Sequence, residues 1–241
     1  MRDFLEKLRQ HAWRTAGARY NAARRLKRRD WIATFSIAIF SAVGIAIAVA
    51  QKVYSPKPSS DLDNYLTVAA VCIGLFVIVI SLIEWGFSAA VKADALYRNA
   101  ESLNRHQRKV AQVLAAGGEI AEASVTLLRE EYERIKDSCP YNHEPVDHRL
   151  FTAQHRLSIE NGDTEGKPTM TWFGATWATL MDVLSSAKGF LIFWVVILLL
   201  LAMTPWSRSE SRLGQDPACA CSYGQGVNDD LSTESRFGVS G

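Results

Sequence analysis

Two long apolar segments without charged residues dominate the hydropathy pattern of the chain. Residues 31–50 form the first and residues 65–83 the second, and neither contains Asp, Glu, Lys or Arg. A helix of about 20 apolar residues is long enough to cross a hydrocarbon core of ~30 Å. The pattern therefore predicts a transmembrane hairpin within residues 31–87, closed by a short connection, residues 51–64, that contains Pro56.

A third apolar segment, residues 189–203, has 15 residues and is short for a span. Lys188 before it and Trp206 after it can reach the interface, which extends the segment to about 28 Å at ~1.5 Å per residue. We predict a third transmembrane helix over residues 189–206, with a re-entrant or membrane-surface helix as the alternative. The tail, residues 207–241, is rich in Ser, Gly and Asp, a composition that predicts disorder.

The polar segments have the periodicity of amphipathic helices. Residues 1–30 predict a basic amphipathic helix that runs into the first span, and residues 84–116 continue from the second span. Gly117 and Gly118 then break the helix, and another follows over roughly residues 119–137. The apolar positions of these helices are Phe4, Leu8, Ala12, Ala16, Tyr20 and Ala23, then Leu96, Leu103 and Val110, then Leu128, Tyr132 and Ile135.

The fold class that follows is an all-α membrane protein. It has a two-helix transmembrane hairpin, a third transmembrane helix and a cytoplasmic helical bundle over residues 88–188. The orientation comes from charge, because residues 1–30 hold ten Lys/Arg and the connection 51–64 holds two. The positive-inside rule then places the N-terminus in the cytoplasm and the connection outside.

Basic side chains cluster directly before the first span. Next to a membrane segment, such a cluster indicates anionic lipid headgroups. We expect no direct nucleic-acid binding, because no base-reading motif accompanies the charge. The residues expected at the membrane surface are Arg24, Arg25, Lys27, Arg28 and Arg29.

The residues that could carry chemistry give no catalytic or cofactor site. His143, Asp147, His148 and His155 are metal-ligand types, but their spacing matches no zinc pattern. The favoured interpretation is a turn in which Asp147 caps the following helix. We expect no enzymatic activity, metal or cofactor. The cysteines, Cys72, Cys139, Cys219 and Cys221, form no disulfide or zinc framework.

Small residues recur every four positions along the first span, at Ala38, Ala42, Ala46 and Ala50. Such a stripe lets another helix approach closely. The neighbour could be the other helix of the hairpin, or the same helix in further copies of the chain. Bulky residues of the second span, Val77, Ile78, Val79 and Ile80, suit contact with lipid. The candidate pore or gate residues are Ser36, Ser41 and Glu84, the last at the end of the second span.

Residues 19–41 read RYNAARRLKRRDWIATFSIAIFS, with Arg-Arg-Leu and a basic patch entering the span. This string resembles the start of the SLATT domains, two-transmembrane effector domains associated with SMODS nucleotidyltransferases and SLOG sensors in bacterial conflict systems. Residues 80–84, ISLIE, and residues 89–105 are similar to the end of the family's second span and its post-membrane helix. Residues 141–151, YNHEPVDHRLF, are similar to a stretch of the fifth subfamily. The resemblance covers roughly residues 1–200.

The resemblance implies a non-catalytic effector in the bacterial inner membrane. Activated by a partner or signal, it permeabilises the bilayer so that an infected cell dies or stops growing. The implied partners are the lipid bilayer, further copies of the chain, and a reverse transcriptase or nucleotidyltransferase encoded nearby. The alternatives are a constitutive channel or transport component, and a membrane-anchored adaptor for a partner enzyme.

The charge asymmetry generates a topology prediction. Cysteine substituted for Ser59 should react with a membrane-impermeant reagent in intact cells, whereas cysteine substituted for Ser124 should react only after the cells are lysed. Labelling of the residue 124 cysteine in intact cells would contradict the predicted orientation.

Overall fold

The computed structural model describes residues 1–54, 60–158 and 168–203, and these residues form six helices without a β-strand. The all-α prediction is thus confirmed. The predicted disordered tail, residues 207–241, lies outside the described residues, as do the last three residues of the predicted third span. The helices are α1 Arg2–Tyr54, α2 Asp61–Phe87, α3 Ala89–Ala115, α4 Glu122–Asp137, α5 Pro145–Gln154 and α6 Trp172–Ala202.

The longest helix, α1, joins the polar and apolar parts of the molecule. It has 53 residues and is about 80 Å long at ~1.5 Å per residue. Its N-terminal half packs along α3, its most extensive partner, and its C-terminal half packs on α2 and α6. The basic segment and the first span are therefore one continuous helix, as the sequence predicted.

Three helices, α1, α2 and α6, are long and apolar enough to cross a membrane. They share an apolar cluster, named here the membrane cluster, and Tyr65 of α2 also donates a hydrogen bond to the Leu200 carbonyl of α6. The expectation that Ile80 faces lipid is wrong, since it is 1% exposed within this cluster, whereas Ile78 and Val79 are exposed. The buried members of the cluster are Ala33, Phe40, Ile73, Ile80, Phe190 and Ile197.

The third apolar helix begins earlier than the sequence predicted. We expected a segment starting at residue 189, but α6 starts at Trp172 and continues through that position without a break. The Thr171 side chain fixes this start because it accepts a hydrogen bond from the Gly174 amide at 3.2 Å. At 31 residues, α6 reaches about 46 Å, so it extends beyond a ~30 Å hydrocarbon core.

The polar half of α1 packs with α3 and α4 in a bundle, named here the extramembrane bundle. The predicted apolar stripes of α3 and α4 are confirmed, because Leu96, Leu103, Val110, Leu128 and Tyr132 are buried and Ile135 is partly buried. On α1 the prediction is correct for Leu8, Ala12, Ala16 and Ala23. Phe4 is 43% exposed, and its neighbour Leu5 takes the buried position.

Two breaks in the helical path orient the bundle. Residues 84–116 were expected to be continuous with the second span, but the helix is interrupted at Ser88, which has a left-handed φ of 51°. The Ser88 hydroxyl donates to the Trp85 carbonyl at 3.0 Å and holds this turn. The predicted break at Gly117 and Gly118 is confirmed, since their φ angles of +69° and +80° suit glycine. The turn at Ser88 separates α2 from α3, and the glycine break returns α4 along α3.

A close contact joins α5 to α1. The Phe151 ring lies over Gly17, where a Cβ atom would come within 2.1 Å of the ring. Trp13 meets the same ring edge-on, at 4.8 Å between centroids, and fixes its position. Because α5 also packs on α6, it connects the extramembrane bundle to the third apolar helix.

Candidate functional site

Three arginines of α1 form ion pairs with three other helices at the junction between the extramembrane bundle and the membrane cluster. Their positions, 25, 28 and 29, follow i, i+3, i+4 spacing, so the three side chains leave the same side of the helix, within about 100° of one another. We name these pairs the ion-pair layer: Arg25 with Asp147 of α5, Arg28 with Asp182 of α6, and Arg29 with Glu84 of α2.

The Arg25 pair is the most buried of the three. The guanidinium donates from Nε to Asp147 Oδ1 at 2.9 Å and from Nη2 to Oδ2 at 3.1 Å, and it also meets Glu144 at 3.1 Å. Burial lowers the pKa of Arg25, but the hydrogen bonds and charges of Asp147 and Glu144 outweigh it and raise the pKa. This two-point geometry holds α5 in a fixed orientation on α1.

Asp147 does not cap α5 in the way that the sequence suggested. Glu144 is the N-cap residue and Pro145 begins the helix, while Asp147 stands at the third helical position. The Asp147 carboxylate accepts from the Glu144 amide at 2.8 Å, which completes a capping box. Pro145 moves the start upstream because its fixed φ suits the first helical residue. One carboxylate thus both caps α5 and binds Arg25.

The second pair involves Asp182, which the sequence reasoning missed. Arg28 donates from Nη1 to Asp182 Oδ2 at 2.8 Å and lies 3.5 Å from the Ser186 hydroxyl. The signal was present, because Asp182 is the only charged residue between positions 168 and 187. A single acid within an apolar helix requires a partner. The predicted third span begins at residue 189 and therefore does not include Asp182.

The third pair joins the first two spans. Arg29 donates from Nη2 to Glu84 Oε1 at 2.9 Å, and its guanidinium carbon lies 3.6 Å from the centre of the Phe87 ring. The Lys92 ammonium lies 3.8 Å from the same centre. Two cations therefore flank one aromatic ring directly before the turn at Ser88. Glu84, expected as a candidate pore or gate residue, is paired within its own chain.

The five basic residues expected at the lipid surface divide into two groups. Arg24 and Lys27 are exposed, and Lys27 lies 5.4 Å from the Tyr97 ring centre. Arg25, Arg28 and Arg29 are paired with carboxylates. The apolar stripe of residues 1–30 is covered by α3 and α4, so this part of α1 is the axis of the bundle. Contact of the five basic residues with lipid headgroups stays a prediction.

The small-residue stripe of the first span stays outside the intramolecular packing. Ala38, Ala42 and Ala46 are exposed and Ala50 is partly buried, so α2 does not cover the stripe. The buried face of this span presents Ala33, Ser36 and Phe40 instead. Ser36 accepts a hydrogen bond from Trp194 Nε1 at 3.0 Å, and Ser41 is partly buried. A role for these residues in assembly or conduction stays a prediction.

The histidines have mainly packing contacts. The His143 and His148 ring centres are 6.4 Å apart, while His155 packs on Phe151 at 4.4 Å and on Trp13 at 5.0 Å. Within residues 1–54, 60–158 and 168–203, no group of three or more His, Cys, Asp or Glu residues could hold a metal ion. The contacts of His155 with Phe151 and Trp13 therefore place it in the packing between α5 and α1.

The fold and the ion-pair layer define a class: a helical membrane protein in which buried ion pairs join the spans to an extramembrane bundle. A family model described as SMODS and SLOG-associating 2TM effector domain family 5 matches residues 1–204. The chain belongs to this SLATT family, and the predicted resemblance is confirmed. No curated protein and no solved structure matches the chain. The matched residues include α6, and among the residues that the structure describes α1, α2 and α6 are each long and apolar enough to span a membrane.

Removing one partner of the Arg25 pair should destabilise the protein strongly. Asp147→Ala leaves a buried guanidinium without its carboxylate, and the expected loss is about 3 kcal/mol. Asp94→Ala removes an exposed pair with Arg98 and should cost less than about 1 kcal/mol. Unfolding of the purified protein in detergent measures both. Equal losses for the two variants would show that the buried pair has no special role.

Proposed function

We propose that the protein is a membrane effector of a bacterial antiviral defence system and forms an ion-conducting pore when activated. The observation that carries the proposal is the ion-pair layer. It links every apolar helix to a bundle that a soluble partner can reach, and it lies where the bundle meets the spans. Membership of an effector family supports the same conclusion.

A single copy does not offer a water-filled path among its described residues. The faces that meet between α1, α2 and α6 are filled by apolar side chains, including Phe40, Ile73 and Phe190, and Ser36 is hydrogen-bonded to Trp194. Conduction therefore requires several copies. The exposed stripe of Ala38, Ala42 and Ala46 allows close helix approach between copies, and this is the contact that we propose.

The ion-pair layer holds the resting arrangement in this proposal. Each pair fixes one helix to α1, and buried pairs are costly to break singly. Activation by a partner, such as a reverse transcriptase or nucleotidyltransferase encoded nearby, would act on the bundle and shift the pairs together. We place the bundle in the cytoplasm and the spans in the inner membrane, in accord with the charge distribution.

Assembly through the stripe can be tested by substitution. Ala42→Leu together with Ala46→Leu should hold the helices of neighbouring copies apart, reducing both crosslinked oligomers and ion leak from liposomes. Ala48→Leu is the matched control, because Ala48 is an exposed alanine on another face of the same helix. Unchanged oligomers and leak in the double variant, with normal insertion, would exclude this interface.

The gating role of the ion-pair layer predicts a charge-swap result. Asp182→Ala should release α6 from Arg28 and depolarise cells without a trigger, measured with a membrane-potential dye and by growth arrest. Arg28→Asp combined with Asp182→Arg restores the pair in reverse and should return cells to normal potential. The control is Asp94→Ala, which removes the exposed ion pair with Arg98 and should leave the membrane potential and growth unchanged. A further outcome concerns cells that carry the complete defence system and are challenged with phage. If these cells survive and keep their membrane potential, the pore function is wrong and the protein acts as a membrane-anchored adaptor.

A further inference from the structure

A polar pocket of about 410 Å³ lies in the extramembrane bundle. Thr15 and Arg19 of α1 form one side, and the end of α4 with residues 139–143 forms the other. This volume is within the range of small-molecule sites in proteins. None of the residues that line the pocket belongs to the ion-pair layer, and the pocket has no role in the mechanism above.

Arg19 differs from Arg25, Arg28 and Arg29 in the groups that its guanidinium contacts. It is 4% exposed, and its guanidinium donates to the Asn99 side chain and to the Lys136 carbonyl at 3.3 and 3.2 Å. These acceptors are neutral, and Nε finds no acceptor among the described residues. Arg25, Arg28 and Arg29 each have a carboxylate within 3 Å. Arg19 therefore leaves a buried positive charge beside the pocket without an ion-pair partner in the described chain.

The pKa shifts around the pocket agree with a buried charge on Arg19 that no carboxylate of the described residues neutralises. Burial lowers the pKa of Arg19, and the opposing groups, Cys139, Tyr132 and Asp137, do not offset it. The pKa of His143, which also lines the pocket, is lowered first by burial and next by the charge of Arg19. His143 Nδ1 is buried and has no partner among the described residues. The pocket is thus lined by the charge of Arg19 and the unpartnered Nδ1 of His143, and the opposing charges are Asp137 beside Arg19 and Asp147 beside His143.

We propose that this pocket binds a small phosphate-bearing anion, with Arg19 supplying the charge and His143 and Thr15 supplying polar contacts. A buried cation without a counter-ion is costly, and an anion that enters beside it compensates that cost. Arginine suits phosphate because its donors are planar and permanently charged. The pocket has room for a group attached to the phosphate.

A soluble molecule is the source of the phosphate, rather than a lipid headgroup. Arg19 precedes the first residue of the apolar run, Trp31, by 12 helical residues, which is about 18 Å along α1. The polar layer of a bilayer leaflet extends only ~5–8 Å beyond the hydrocarbon core. The pocket is therefore beyond the reach of the headgroups.

Occupancy of the pocket would act on the ion-pair layer through the chain that forms its wall. Residues 139–143 run directly into Glu144, the N-cap of α5, and Asp147 follows three residues later with its hold on Arg25. Movement of this segment toward a bound anion shifts the carboxylates that hold Arg25. This regulatory step rests on the proposed function, whereas binding itself does not.

The test uses the full chain in nanodiscs of neutral phosphatidylcholine. Isothermal titration with pyrophosphate and with ribose 5-phosphate should show saturable binding tighter than about 1 mM, and ribose should not bind. Absence of binding by both phosphate probes would overturn the site. Binding only in nanodiscs that contain phosphatidic acid, without the soluble probes, would overturn the soluble source.

Variants separate the site from general effects of charge. Arg19→Gln should weaken binding about tenfold, because a charged donor is replaced by a neutral one, and Arg19→Lys should retain part of the affinity. His143→Ala should weaken binding about threefold and tests the same pocket if Arg19→Gln fails to fold. Arg105→Gln, an exposed arginine on α3, is the control and should bind as the parent does. If His143→Ala and Arg19→Lys both bind the phosphate probes as tightly as the parent protein does, the proposed site is wrong.

Leak from liposomes containing the protein, with and without ribose 5-phosphate, tests the regulatory step separately. A changed leak in the parent, absent in His143→Ala, supports coupling to the ion-pair layer. Binding without any change in leak would overturn the coupling and leave the site intact. A basal leak that is absent under every condition, with binding intact, would count against the proposed pore function and not against the site.

Discussion

The burial of arginine on one continuous helix is the constraint on which the structure depends. A helix that passes from water into hydrocarbon must lose its charges at the boundary or supply each with a partner. Between Asp30 and Lys52, α1 carries no charged residue. Before that stretch, Arg25, Arg28 and Arg29 each bind a carboxylate of a different helix. The positions of α2, α5 and α6 around α1 therefore follow from three charge pairs as well as from apolar contact.

Apolar and polar layers alternate along α1. A cluster around Leu5 and Leu8 is followed by Arg19 with Asn99, then by an alanine-rich cluster around Ala22 and Ala93. The ion-pair layer and the membrane cluster come next. Apolar layers supply most of the burial free energy and tolerate similar side chains, whereas hydrogen-bonded layers admit few arrangements. Changes that pass from the bundle to the spans must therefore pass through the polar layers.

Much of the fold was predictable from sequence because it follows from periodicity. The two long spans, the stripes ending at Val110 and Ile135, and the break at Gly117 depend only on the spacing of apolar residues and on glycine. The start of α6 was not predictable from hydropathy. An apolar helix inside the hydrocarbon core of the bilayer and an apolar helix that extends beyond that core have the same composition. At the turn, the residue with the left-handed φ is a serine and not a glycine, and Gly86 two residues earlier remains helical. The hydroxyl contact of Ser88 is visible only in three dimensions.

The candidate site was predictable only in part. The basic residues were identified, but a cluster of arginines before a span has the same appearance whether it meets lipid or protein carboxylates. Asp147 was assigned a capping role, and its second contact depends on α5 lying against α1, a long-range arrangement. Arg19 could not be distinguished from the other arginines of α1 by sequence, because its neutral hydrogen-bond acceptors, Asn99 and the Lys136 carbonyl, come from α3 and α4.

The continuity of α1 has a consequence for how its sequence can change. Its buried positions in the bundle and in the membrane cluster share one helical register, and each added residue turns the following helix by ~100°. An insertion between Arg29 and Ala33 would rotate Phe40 out of the membrane cluster while Leu8 kept its place. The segment around Gly117 absorbs added length at low cost. Along α1, sequences of this architecture can diverge by substitution but not by a single insertion or deletion.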